Sequence, residues 1–81
     1  MKADGQAAVF AVNAGLESLK RHEVAAAIAR FREAVRLAPG NAQAHLQLAL
    51  ALRRSGALGE SRRELEVARR LAPLPPPVPQ P

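Results

Sequence analysis

The tetrapeptide Arg-Leu-Ala-Pro occurs twice, at Arg36–Pro39 and at Arg70–Pro73, so the two copies lie 34 residues apart. Shifting the chain by the same interval places apolar residues on apolar residues, for example Phe31 on Leu65. A period of about 34 residues is typical of a helix–turn–helix repeat, in which each copy is one packing unit. The sequence therefore predicts two equivalent helical hairpins.

Composition supports a small helical domain. A chain of 81 residues forms one domain at most. Phe10 and Phe31 are its only aromatic residues and threonine is absent, whereas strands are enriched in aromatic and β-branched side chains. The chain has no cysteine, which excludes disulfides and thiolate metal sites and favours a cytoplasmic location. No segment approaches the roughly 18 apolar residues of a membrane span, so we expect no membrane contact.

Four segments have the spacing of apolar residues expected of helices, at residues 6–20, 24–37, 42–54 and 58–71. Pro39 ends the second segment, Asn41 is a suitable N-cap for the third, and Gly56 can end the third in left-handed geometry. These boundaries predict a disordered N-terminus at residues 1–5, a first repeat at 6–39, a second repeat at 40–73, and an extended proline-rich tail at 74–81.

The repeat resembles the tetratricopeptide repeat, whose pattern is W-x2-L-G-x2-Y, then A-x3-F, then P. Small residues in this pattern let two helices approach closely, and the aromatic position fills the space between one hairpin and its neighbour. The residues that carry the match, and that we expect to pack the repeats, are Gly15, Ala27, Phe31, Pro39, Leu48, Ala49, Leu65 and Pro73. The Trp, Leu and Tyr positions of the first copy hold smaller residues.

The resemblance implies an all-α fold of two stacked helix–turn–helix hairpins, a fragment of a right-handed solenoid. The alternative is a four-helix bundle that closes on itself around an accidental repeat. Arg62 and Arg69 replace the apolar Ile28 and Val35 of the first copy, which is the pattern of a polar terminal cap or of ordinary surface charges. The first helix is apolar on several sides, which predicts self-association or a partner.

In this family the first helix of each repeat lines the groove that holds peptide segments. That position corresponds here to Val9, Val12, Asn13, Leu16, Gln43, Leu46, Gln47 and Leu50, with Lys20, Arg53 and Arg54 as a basic rim. An apolar floor with amide side chains and a basic edge suits an amphipathic helix or an apolar peptide with acidic flanks. Packing within the chain or within a dimer is the alternative for the same apolar residues.

Catalytic chemistry is not indicated. His22 and His45 lie in different elements without a nearby cluster of carboxylates or thiolates, so we expect solvated or loop histidines, no metal and no cofactor. No serine has a base and acid beside it in sequence. We therefore predict a non-catalytic scaffold or adaptor that binds a protein or peptide, or its own copy. The alternatives are a basic helical module associated with nucleic acid, suggested by the net charge of +5, and a purely structural subunit of a larger assembly.

Overall fold

Four helices make up the computed structural model, which describes residues 2–72 and side chains from Asp4 onward. The helices are α1 (Lys2–Lys20), α2 (Val24–Leu37), α3 (Ala42–Ser55) and α4 (Leu58–Leu71), and residues 2–72 contain no strand. The predicted Pro73 packing position and the predicted tail at 74–81 lie outside the described residues. The predicted all-α class is confirmed.

The helices form two hairpins that lie side by side. α1 packs on α2, α3 packs on α4, and the hairpins meet mainly through α2 and α3, with a smaller contact between α1 and α3. Within the described residues α4 does not pack on α1, so the four helices do not close into a bundle. The predicted stack of hairpins is therefore confirmed, and the closed bundle is wrong.

Helix α1 begins four residues earlier than the sequence predicts. Residues 2–5 belong to the helix, so the prediction that they form a disordered N-terminus is wrong. Asp4 lies in the first turn, where the partial positive charge of the helix terminus favours a carboxylate. Gly5 lowers helix propensity but lies next to a run of good helix formers, which carry the helix across it.

The turns inside the two hairpins have the same geometry. His22 and Gly56 are 34 residues apart, and both adopt positive φ, at 62° and 91°. In the first turn the amide of Glu23 donates to the carbonyl of Ser18 at 2.8 Å, and the equivalent bond in the second turn is 2.9 Å long. Left-handed geometry is unfavourable for a residue with a Cβ, so only the second turn has the residue type that its backbone favours. The predicted role of Gly56 is confirmed.

The repeated tetrapeptide also ends its two helices in the same way. Ala38 has φ −138° and ψ 77°, and Ala72 has φ −142° and ψ 80°. Each donates its amide to a carbonyl four residues earlier. After the first copy, Asn41 caps α3 by accepting a hydrogen bond from the amide of Ala44 at 3.1 Å, as predicted.

The core is centred on the first hairpin and on α3. Phe31 is fully buried, and its ring occupies the space beside Gly15, where a Cβ would lie only 2.7 Å from Cδ1 and Cζ of the ring. The second hairpin has Ala49 and Leu65 at the equivalent positions. Leu65 is 41% exposed. The prediction that it fills a space between its hairpin and a neighbour is therefore wrong, because no other part of residues 2–72 covers it. Pro39, in the loop after α2, is exposed. The remaining residues predicted to pack the repeats are buried, and they are Ala27, Leu48 and Ala49.

His45 connects the second hairpin to the loop between α2 and α3. Its ring is 6% exposed, with Nδ1 2.7 Å from Oε1 of Glu64 and Nε2 2.8 Å from the carbonyl oxygen of Pro39. Both ring nitrogens therefore lie within hydrogen-bonding distance of an oxygen atom. The prediction that this histidine is solvated is wrong, because its partners come from distant parts of the chain.

An ion pair connects the two hairpins through α2 and α4. Nη2 of Arg32 donates to Oε1 of Glu60 at 3.1 Å, and Nη1 donates to the other carboxylate oxygen. These hydrogen bonds hold the pKa of Glu60 below its usual value and raise the pKa of Arg32. Among the described residues, the remaining Arg–Glu and Lys–Glu pairs lie within single helices.

Candidate functional site

A hollow opens between α1 and α3 on one side of the stack, and it is called the concave hollow from here on. Its volume is about 550 Å³. Because α1 and α3 are the first helices of their hairpins, they lie on one side of the stack, and side chains of both helices face the same space. The lining residues are Asn13, Leu16, Glu17, Leu19, Lys20, Gln47, Leu50 and Arg54.

The floor of the concave hollow is apolar. Leu16 and Leu19 are half-buried, because one side of each packs against the core that joins the hairpins. Leu50 is 37% exposed and belongs to neither that core nor its surrounding layer. Asn13 and Gln47 place amide groups beside these leucines. The arrangement can bury apolar side chains of a ligand while donating and accepting hydrogen bonds.

Positive charge at the rim is only partly compensated. Nζ of Lys20 donates to Oε2 of Glu17 at 3.4 Å, and both side chains are well exposed. Arg54 makes no hydrogen bond or ion pair with any side chain that the structure describes. Its guanidinium is therefore available to pair with an anionic group of a ligand.

The structure brings together six of the eleven residues predicted for the groove and its rim. They are Asn13, Leu16, Lys20, Gln47, Leu50 and Arg54. Glu17 and Leu19 also line the hollow although the sequence argument did not select them. The spacing of Leu19, three residues after Leu16 on one helix, could have identified it.

The other predicted groove residues lie elsewhere. Val12 is only 7% exposed because it belongs to the core between the hairpins, so its assignment to an open groove is wrong. Gln43 and Leu46 line a different hollow, between α3 and α4. Val9 is 49% exposed and Arg53 is exposed, but neither lines the concave hollow.

Comparison with known proteins agrees with the geometry. The sequence model of the tetratricopeptide repeat matches residues 18–78, about three-quarters of the chain. The chain belongs to the tetratricopeptide repeat family. The match begins in the last turn of α1 and covers all of α2, α3 and α4. No curated protein and no solved structure matches the chain.

Tetratricopeptide repeats generally mediate protein–protein interactions. Within residues 2–72 of this member, the stack has a further hollow on each hairpin. One, of about 260 Å³, lies between α3 and α4 and is lined by Ala42, Gln43, Leu46, Leu65, Ala68, Arg69 and Ala72. The other, of about 370 Å³, lies between α1 and α2 and is lined by Ala7, Phe10, Ala11, Ala14, Arg30, Glu33 and Leu37.

Polar side chains inside this tetratricopeptide repeat pair serve the helices themselves. The hydroxyl of Ser61 donates to the carbonyl of Ala49 at 2.7 Å, and those of Ser18 and Ser55 donate to carbonyls within their own helices. Among the described residues, no three His, Asp or Glu side chains are grouped closely enough to hold a metal ion. None of the four described helices is both long and apolar enough to cross a bilayer.

Proposed function

We propose that this chain is a non-catalytic scaffold that binds an apolar or amphipathic segment of another protein in the concave hollow. The observation that carries the proposal is the pairing of an exposed leucine, Leu50, with the uncompensated cation of Arg54 in one hollow of about 550 Å³. The chemistry of the hollow suits a helix whose apolar face ends next to an acidic residue.

Apolar burial supplies most of the expected affinity. Covering a leucine side chain completely contributes about 1.5–3 kcal/mol. Leu50 has more surface to lose than Leu16 or Leu19, which already pack on the core. We therefore expect Leu50 to be the residue on which binding depends most.

Charge at the rim contributes orientation more than affinity. An exposed ion pair contributes only about 0.2–1 kcal/mol, but charge complementarity speeds association and fixes which end of a ligand lies where. An acidic residue of the ligand is expected beside Arg54, because Lys20 already has a partner in Glu17.

Peptide display tests this proposal. Random peptides of about 15 residues, long enough for four helical turns, are selected on the purified protein, and the enriched peptides are synthesised. We expect apolar residues at helical spacing with an acidic flank. Leu50→Glu should weaken their binding roughly 30-fold, whereas Leu58→Glu, which changes an exposed leucine on α4 outside the hollow, should leave it unchanged.

Arg54→Glu gives the second readout of the same experiment. We expect it to weaken binding of the acidic peptides about fivefold and to reduce the dependence of their affinity on salt. If Leu50→Glu binds the selected peptides as tightly as the unchanged protein does, the concave hollow is not the binding site.

A further inference from the structure

The two ends of the stack repeat the two halves of the interface between the hairpins. On the first hairpin, three residues exposed by 7% or less belong to the core cluster that joins it to the second: Val12, Phe31 and Ala34. Their equivalents 34 residues later line the open hollow between α3 and α4. We call this hollow the C-terminal face, and those equivalents are Leu46, Leu65 and Ala68.

The opposite end has the complementary half. Ala44 and Leu48 are 0% and 2% exposed, because they face the first hairpin from α3. Their equivalents in α1 are Phe10 and Ala14, which line the open hollow between α1 and α2. We call this hollow the N-terminal face.

We propose that a second copy of this chain docks its N-terminal face onto the C-terminal face of the first. The contact would repeat, between molecules, the packing of the second hairpin on the first. It uses the ends of the stack, so it is distinct from binding in the concave hollow.

Side-chain sizes support this pairing. The internal interface has a large residue, Phe31, on the first hairpin and a small one, Ala44, on the second. At the two ends the sizes are exchanged, with the smaller Leu65 on the C-terminal face and the larger Phe10 on the N-terminal face. Phe10 is 64% exposed, which is costly for a phenylalanine unless another surface covers it. The hollow beside Leu65 provides that surface.

The C-terminal face is basic where the internal interface is apolar. Ile28 and Val35 pack against the core that joins the hairpins. Their equivalents on α4 are Arg62 and Arg69, and both are exposed. Arg62 has no ionic partner among the side chains described, and Arg69 pairs only with Glu66 of its own helix.

Carboxylates flank the N-terminal face where the internal interface has alanine, while the hollow itself is lined by the ion-paired Arg30 and Glu33. Ala51 is fully buried in the core cluster, and Ala57 packs against it. Their equivalents on the first hairpin are the exposed Glu17 and Glu23, of which Glu17 also lines the concave hollow and pairs with Lys20. Guanidinium groups on the C-terminal face and the carboxylate of Glu23 beside the N-terminal face favour contact between unlike ends.

The repeat equivalence of the two ends with the two halves of the internal interface selects the second copy as the occupant. Two C-terminal faces would bring the exposed arginines of α4 together. A head-to-tail contact of this kind does not close on itself as a two-fold dimer does, so assemblies should lengthen as concentration rises.

Sedimentation velocity of blocked variants tests the proposal. Phe10→Lys places a cation on the N-terminal face, and Leu65→Lys does so on the C-terminal face. Both residues are exposed, so helicity measured by circular dichroism should be retained. Each variant alone should associate roughly 30-fold more weakly than the unchanged protein. An equimolar mixture should form one-to-one dimers, because each variant keeps the face that the other has lost.

Leu58→Lys is the matched control, since it adds the same charge at an exposed leucine outside both faces, and it should assemble like the unchanged protein. The proposal is overturned if either blocked variant assembles normally, or if their mixture stays monomeric. It is also overturned if the unchanged protein is monomeric at every concentration while a chain ending at Pro73 assembles, since residues 74–81 would then be the occupant.

Discussion

At the scale of single residues, the two hairpins solve one packing problem in two ways. Gly15 faces the ring of Phe31, and Ala49 stands at the equivalent position opposite the smaller Leu65. Position 15 must be glycine, because a Cβ there would clash with the ring of Phe31. The ring is fully buried in a close-packed core and cannot move aside. The identity of each residue in these pairs therefore depends on its partner.

We predict that Gly15→Ala destabilises the protein although alanine is the better helix former. The gain in helix propensity is about 1 kcal/mol, and the clash with Phe31 should cost more, leaving a net loss of about 1–2 kcal/mol. Urea unfolding followed by circular dichroism measures the change. The control is Gly59→Ala in α4, where the nearest atom to the new Cβ is Nη1 of Arg63 at 3.9 Å.

Gly59→Ala should stabilise the protein by up to about 1 kcal/mol. Equal effects of the two glycine substitutions would show that helix propensity dominates and that the close approach of Phe31 is unimportant.

Some residue roles follow from residue type alone, and others do not. The cap formed by Asn41 and the left-handed Gly56 were predictable, because each acts on backbone within a few residues of itself. The burial of His45 was not predictable. Its hydrogen-bond partners are Glu64, 19 residues away, and a carbonyl in another loop, and only the packing of hairpins brings them together.

At the scale of helices, apolar spacing and proline predicted α2 and α4 with the correct ends, and α3 to within one residue. Helix α1 was predicted to start too late, because Asp4 and Gly5 are residues that commonly interrupt helices. Their effect depends on context, since an acidic residue in a first turn stabilises a helix that has already formed. Local residue preference is least decisive at such a terminus.

Ion pairing between α2 and α4 makes the stability of the fold sensitive to acid. Arg32 lowers the pKa of Glu60 in the folded protein. The ionised carboxylate therefore stabilises the fold fully at pH values above 4.5, the ordinary pKa of a glutamate. The contribution is lost as the pH falls through the lower, folded pKa. We predict that Glu60→Gln flattens the loss of stability below about pH 4.5.

Unfolding midpoints in urea, measured at several acidic pH values, check this prediction. Arg32→Gln should flatten the same part of the profile, because the pKa of Glu60 would return towards its ordinary value once its hydrogen-bond partner is removed. An unchanged profile in Arg32→Gln would contradict the role assigned to this pair.

At the scale of the whole molecule, the sequence period predicted the stack but only part of the site. The repeat shows which residues are equivalent, and that is sufficient to place Leu16 and Leu50 on the same side. It does not show how closely the hairpins approach, and this distance buries Val12 and separates Leu46 into another hollow. Tertiary packing decides these outcomes.

The proposed head-to-tail contact lacks one element of the internal interface. Between the hairpins, Arg32 pairs with Glu60. Their equivalents across two molecules are Glu66 on one copy and Ala26 on the next, so no ion pair forms there. We predict that Ala26→Arg, which supplies the missing cation on an exposed position of α2, strengthens self-association by about twofold to fivefold.

Sedimentation equilibrium measures this change, with Ala26→Glu as the matched variant. A carboxylate at this position would face Glu66 and should weaken self-association by a similar factor. If both substitutions change self-association in the same direction, the alignment of the two copies is not the one proposed.

The near-identical backbone of Ala38 and Ala72 has a consequence for engineering. The backbone conformation at Ala38 sets the direction of the chain after α2, so that the second hairpin packs on the first. Ala72 has the same conformation at the end of α4. A third hairpin, copied from residues 40–72 and fused after Pro73, should therefore pack on Leu46 and Leu65 without a redesigned linker. The molecule is in this respect a building block for longer artificial rods.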